Sequence, residues 1–349
     1  MAAAEEKDLH DVDDSSADLP KTQTKPQVVV HPDMEDEEYK KAMANAVKNV
    51  EKEELDEILI DQDMKELDLT RCRMPKIEGL DFLRSLRYLC LRWNLLKKIE
   101  NLHALTTLVD LDLYDNQITK IEGLDTLVNL ETLDISFNRI EKIEGLDNLK
   151  KLKTLYLVHN KISKIEGLEN LTELEYLELG DNKIKKIENL KNNTQLERLF
   201  LGANQIRSIE NVGHLKNLQV LSLPANCITR IEGVRKLPQL KELYLSQNGI
   251  QKIENLHKNL ELRILDLNQN RLNHIENVSH LKELTDFWAK HNHISSFREV
   301  ERELGGLQNL NLVYLEFNPI SKENTYRRKV ISVLQNLERL DSMCCRGRV

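Results

Sequence analysis

Cysteine and proline are scarce in this chain, at 5 and 7 of 349 residues, and three of the prolines, Pro20, Pro26 and Pro32, lie in the first 36 positions. Cys72, Cys90, Cys227, Cys344 and Cys345 show neither pairing nor zinc-ligand spacing, which predicts free thiols in a reducing compartment. The vicinal pair near the end is followed by RGRV and does not fit a prenylation signal. No apolar run approaches the roughly 20 residues that a membrane span needs, and MAAAEEKDLH has no basic or apolar leader region. Aromatic residues make up only 5 % of the chain, so where they gather carries information. No glycine-rich phosphate loop follows a strand pattern, and no Ser-His-Asp or Cys-His set stands out. A catalytic site and a cofactor are therefore not expected. His291 and His293 lie near Asp286 but straddle a structural asparagine, with no further donor at ligand spacing, so no metal is expected either.

What the chain does have is self-similarity. LVDLDLYDNQITKIEGLDTL, residues 108–127, returns 22 positions later as LETLDISFNRIEKIEGLDNL. Asparagines stand 22 residues apart at Asn94, Asn116, Asn138, Asn160, Asn182, Asn204, Asn226, Asn248, Asn270 and Asn292, each closing the frame L-x-x-L-x-L-x-x-N. This is the leucine-rich-repeat pattern. A degenerate first unit carries Cys72 at the asparagine position, and a last unit reaches Asn318 after a four-residue insertion around 299–306, giving twelve units. In x-L-x-L-x the apolar period is two, which makes a short strand with one buried face. After the asparagine the leucine spacing changes to three, as at Leu124, Leu127 and Leu130, which suits a tight 3₁₀ turn. One strand and turn cannot bury its own leucines, so neighbouring units must stack. The expected fold is an α/β solenoid with a concave parallel sheet, convex 3₁₀ turns and helical caps.

Charge divides the chain unevenly. Residues 1–63 carry net −12 and the remainder net +4. Residues 1–36 read as a disordered acidic tail and 37–60 as an N-terminal capping helix, with Tyr39, Met43, Val47 and Val50 at helical spacing. Repeats fill 61–322, and 323–349 form a C-terminal cap and tail, in which Tyr326 to Asp341 is expected to be a helix over the last repeat.

Inward leucines, the asparagine ladder and the Ile-Glu-Gly/Asn-Leu turns are explained by folding. The glutamate column from Glu78 to Glu276 has in most units a lysine or arginine two residues earlier and enters a helical turn, so it too is read as scaffold. Four variable positions per unit remain, at six, four, two and one before the asparagine, and these face the concave side. They hold 11 of the 16 aromatic residues, among them Tyr156, Phe200, Trp288 and Tyr314, with twelve acids and only four bases. Aromatic side chains exposed in rows with carboxylates between them predict a protein-binding surface. The same sign of charge would repel phosphates, which argues against nucleic acid.

The unbroken array with N-x-I-x-x-I-E-G-L turns, the acidic tail and the terminal FNPISKENTYRRKVISVLQNLERLD resemble the short-repeat, leucine-rich inhibitor subunits of protein phosphatase 1, over about 61–349. That resemblance implies a non-catalytic subunit in nucleus and cytoplasm. Such a subunit binds the catalytic subunit of a type-1 serine/threonine phosphatase on its concave face and controls its activity and holoenzyme exchange, in some cases with a third, small inhibitor protein. The short basic-Val-x-Phe motif by which many phosphatase regulators dock is absent, so contact should come from the folded array. The expected contacts are Asp134, Tyr156, Glu178 and Phe200 in the middle units and Asp286, Trp288 and Tyr314 toward the end. Another reading is an adaptor of a ribonucleoprotein, since a spliceosomal subunit has similar repeats but fewer of them.

Overall fold

A computed structural model describes residues 61–345, together with the backbone of Gln27–Val29 and Glu57–Leu59, which pair as two parallel strands. Apart from those six residues, the acidic tail and the expected N-terminal capping helix lie outside the described residues.

Fourteen strands form one continuous sheet in chain order, from Glu66–Asp68 to Met343–Cys344, and the first twelve belong to the repeats. Pairing is parallel and in register with the repeat, so Leu111 faces Leu133 and Leu133 faces Leu155. The insertion changes only the spacing, bringing Asp286 opposite Leu312. The central residue of each three-residue repeat strand, leucine in all but Phe287 and Val313, points into the core. Its unit adds three more apolar residues from the far turn, such as Leu124, Leu127 and Leu130, all fully buried. Those turns close by amide-to-carbonyl bonds three residues apart (Leu127 N to Leu124 O and Leu130 N to Leu127 O, both 3.0 Å), the 3₁₀ bond expected from the spacing. Regular 3₁₀ helix develops among the described residues at Val234–Lys236 and, after the last asparagine, at Pro319–Lys322.

Each asparagine ties two units together. Asn116 donates from Nδ2 to Leu91 O of the preceding unit (3.0 Å) and to Leu113 O of its own (3.1 Å), while its Oδ1 accepts from Leu96 N (3.1 Å). The residue before it turns the chain off the ladder with positive φ, as at Trp93, Asp115 and Phe137, yet still donates to the next strand's unit (Trp93 N to Tyr114 O, 3.0 Å). The Gly/Asn alternation after Ile-Glu has a similar cause. At Gly123 (φ +71) a β-carbon would stand 2.6 Å from Ile99 O. Asn101, also left-handed, donates its amide to the equivalent carbonyl, Ile77 O, at 2.7 Å.

The C-terminal cap departs from expectation. The helix ends at Val333, and the remaining residues form strands Arg339–Leu340, parallel to Leu312–Tyr314, and Met343–Cys344, antiparallel to it in turn. The reason is in the text itself: Leu334, Leu337 and Leu340 keep the turn spacing of three and bury like another half-unit. Asp341 then replaces the next unit's carbonyls with a side chain. Its Oδ1 accepts from Leu315 N (2.8 Å) and Glu316 N (2.9 Å), and its Oδ2 accepts from Tyr326 Oη (2.9 Å).

Candidate partner-binding face

Because the register is that of the repeat, the same position in successive units forms a row straight across the sheet. Asp134, Tyr156, Glu178 and Phe200 are consecutive members of one row, on four adjacent strands. The row runs on through Ser222, Tyr244 and Asp266 to Trp288 and Tyr314. Six of the seven expected contacts thus share one line along the concave face, and Asp286 stands in the row beside it.

Within the row the rings support one another laterally. Tyr176, from the neighbouring row, wedges between Tyr156 (centroids 5.0 Å apart) and Phe200 (5.1 Å), and donates its hydroxyl to Glu178 Oε2 at 2.8 Å. Burial, then that hydrogen bond to a carboxylate, raises the Tyr176 hydroxyl well above its ordinary value, so it stays a donor. Toward the C-terminal end Trp288 lies between Tyr244 (6.1 Å) and Tyr314 (5.9 Å). Tyr244 donates to Glu242 Oε2 at 2.8 Å, and Asp286 Oδ2 accepts from Thr285 Oγ1 at 2.6 Å. The Trp288 indole N–H is buried without an acceptor among the described residues. A pairing of rings inside the sheet lowers the cost of holding them rigid, and rigid aromatic groups make good interface anchors.

The N-terminal half is the more acidic part. Arg92 meets Asp112 (Nε to Oδ2, 2.7 Å) and Asp134 (Nη2 to Oδ2, 3.4 Å) and stacks over Tyr114 at 4.6 Å. One guanidinium thus serves two carboxylates, while Asp110, in the row beside them, feels both of those charges without a cation of its own in contact among the described residues. Burial first, then Asp112 and Asp134, pushes Asp110 up to about 6, and burial raises Asp112 as well. At the other end burial raises Asp266. These carboxylates are held at an electrostatic cost that a partner's cation would relieve.

Tyr176, Tyr244 and the Asp110–Asp112–Arg92 group were not singled out from the sequence as contacts, although all stand in the variable columns. Their part follows from which rings meet across strands, which the column alone does not say. Of the glutamate column, Glu122, Glu144 and Glu166 pair with the lysine two residues earlier at 3.2–3.3 Å, as the charge pattern suggests. His291 stacks on Phe317, with ring centroids 4.2 Å apart. No helix among the described residues is long and apolar enough to cross a membrane.

Known proteins place this geometry. Leucine-rich-repeat family models match residues 106–148 and 150–192, then 194–250, and 235–346. The protein phosphatase 1 regulatory subunit SDS22 of Schizosaccharomyces pombe is 47 % identical over 64 residues, a stretch that spans 18 % of this chain and 19 % of that protein. Among solved structures, an internalin (inlF) of Listeria monocytogenes superposes with a TM-score of 0.67 at 26 % identity, covering 81 % of this chain and 88 % of that one. A leucine-rich-repeat protein of Leptospira interrogans superposes with a TM-score of 0.60 at 23 % identity, covering 80 % and 84 %. With the repeat frame, the ladder and matches over most of the chain in agreement, the protein belongs to the leucine-rich-repeat family.

Proposed function

We propose that this chain is a non-catalytic regulatory subunit that binds the catalytic subunit of protein phosphatase 1 through its concave acidic-aromatic face and controls its activity and holoenzyme assembly. The observation that carries the reading is the row from Asp134 to Tyr314, in which laterally supported rings are interspersed with carboxylates across adjacent strands. The stretch shared with SDS22 supports the choice of partner. At about 4.8 Å per strand, twelve strands give a face roughly 50 Å long, enough for a globular domain to bury the roughly 800 Å² per partner of a standard interface. Rings would enter apolar niches of the phosphatase, and Asp134, Glu178 and Asp286 would meet its arginines or lysines. A small inhibitor protein would join as a third component at the parts of the surface left free, and the complex would operate in nucleus and cytoplasm.

Calorimetric titration with the catalytic subunit tests this, run beside Glu178→Ala/Trp288→Ala. The expected result is submicromolar binding that the double variant loses. No heat with a folded array would overturn the reading and return attention to a ribonucleoprotein adaptor, for which structured RNA in a filter-binding assay is the check.

A further inference from the structure

At one margin of the concave face, one surface combines apolar exposure with unpaired positive charge. It lies on the rim of the first four units, where the positions just before and just after the asparagine form two adjacent columns. There Trp93, Leu95 and Phe137 are 40 %, 46 % and 36 % exposed, three of the seven large apolar side chains exposed among the described residues. Arg71, Arg73 and Arg139 stand in the same two columns, all exposed, and none has a carboxylate within ion-pair distance among the described residues. Arg71 stacks its guanidinium on Trp93 at 4.3 Å, leaving its outer face free. Asp115, between Trp93 and Phe137 in its column, is the one opposing charge. Trp93 and Phe137 also occupy left-handed backbone positions (φ 52 and 55), where the middle units carry Ala203 and Ala225. Bulky rings at positive φ are uncommon, so the chain retains them there against a local cost.

We propose that the occupant of this rim is the chain's own N-terminal segment Asp8–Leu19, DLHDVDDSSADL. It supplies what the surface is missing: Asp8, Asp11, Asp13, Asp14 and Asp18 for the three arginines, and Leu9, Val12 and Leu19 for the rings and Leu95. The charge balance points the same way. Residues 1–63 carry net −12 and the rest net +4, while the carboxylates elsewhere on the concave face repel this segment and direct it to the arginine-bearing rim. The connection is long enough, because the roughly forty residues between Leu19 and Asp61 reach at about 3.3 Å each far beyond the four strands of the rim. Tethering gives the contact a high effective concentration without a tight intrinsic affinity. This inference does not depend on the phosphatase reading.

The chain's two tryptophans make the test direct. In the full chain carrying Trp288→Phe, Trp93 is the sole indole, and its quenching by neutral acrylamide reports whether the rim is covered. A charge-dominated contact is screened by salt, so adding Asp11→Asn, Asp13→Asn, Asp14→Asn and Asp18→Asn should raise the quenching constant roughly twofold, and 0.5 M salt should do the same to the chain with native aspartates. Equal quenching in both chains at low salt would overturn the proposal. Protection that disappears on dilution would also overturn it, assigning the rim to a second copy of the chain instead.

Discussion

At the residue scale, the asparagine explains why the array tolerates so much variation elsewhere. One buried amide serves three backbone groups in two units, so the strand positions around it are released for function. Among the released positions Asp110 is the most exposed to pH. Its folded-state value, about 6, lies above the ordinary carboxylate value near 4, so the folded chain holds this proton more firmly than the unfolded one. Its contribution is therefore neutral below pH ~4, turns unfavourable as pH rises to ~6, and stays so above. Asp110→Asn should raise stability at pH 7 by about 1 kcal/mol, the full shift being discounted because the group is only partly buried and solvent screens it. That gain should vanish at pH 4. Denaturant unfolding of both chains at the two pH values checks it, and equal stabilities at pH 7 would refute the electrostatic cost assigned to this cluster.

At the scale of the element, two departures from the repeat have separate consequences. Asn193 takes the place of the middle turn leucine and is fully buried. Its Nδ2 donates to Leu168 O and Leu171 O, both at 2.9 Å, but those carbonyls already accept from Leu171 N and Leu174 N. Its Oδ1 has no partner among the described residues. Since Leu127, Leu149 and Leu171 fill the same position in earlier units, Asn193→Leu should stabilise the chain by about 1 kcal/mol, the order of a relieved buried acceptor. A lower thermal midpoint for this variant would show that the two donated bonds matter more. The second departure is Asp341, whose carboxylate stands in for a unit that is not there. Removing it in Asp341→Ala leaves Leu315 N and Glu316 N without acceptors, a loss of roughly 1–3 kcal/mol concentrated in the last units. Faster amide exchange at Leu315 and Glu316, with the middle strands unchanged, is the expected signature.

At the scale of the whole molecule, the solenoid turns a one-dimensional repeat into parallel rows, and function becomes a matter of what each row displays. The row through Phe200 and Trp288 has its rings already packed against neighbours, so binding costs little side-chain ordering. Each of Phe200→Ala and Trp288→Ala should weaken phosphatase binding by about 2 kcal/mol or more, as central aromatic anchors do. Titration of both single variants decides it. Affinity unchanged in both, with circular dichroism intact, would move the contact off this row.

Much of this architecture was legible from the chain alone, because a 22-residue period with two internal spacings admits one way of stacking: leucines in, asparagines on the ladder, variable positions on one face. Period arithmetic also placed Asp134, Tyr156, Glu178 and Phe200 on successive strands. Tertiary structure alone decided the rest. Tyr176 reaches sideways between two rows, and Trp288 touches a ring two strands away, because side-chain direction and length, not sequence spacing, select among neighbours on a sheet. The cap ended as strands because LQNLERLD could bury its leucines on the open edge of the sheet, a choice that exists only once that edge is present. Asp110 is pushed upward first by its burial on the folded face and then by Asp112 and Asp134 beside it, and both burial and those distances are set only by folding.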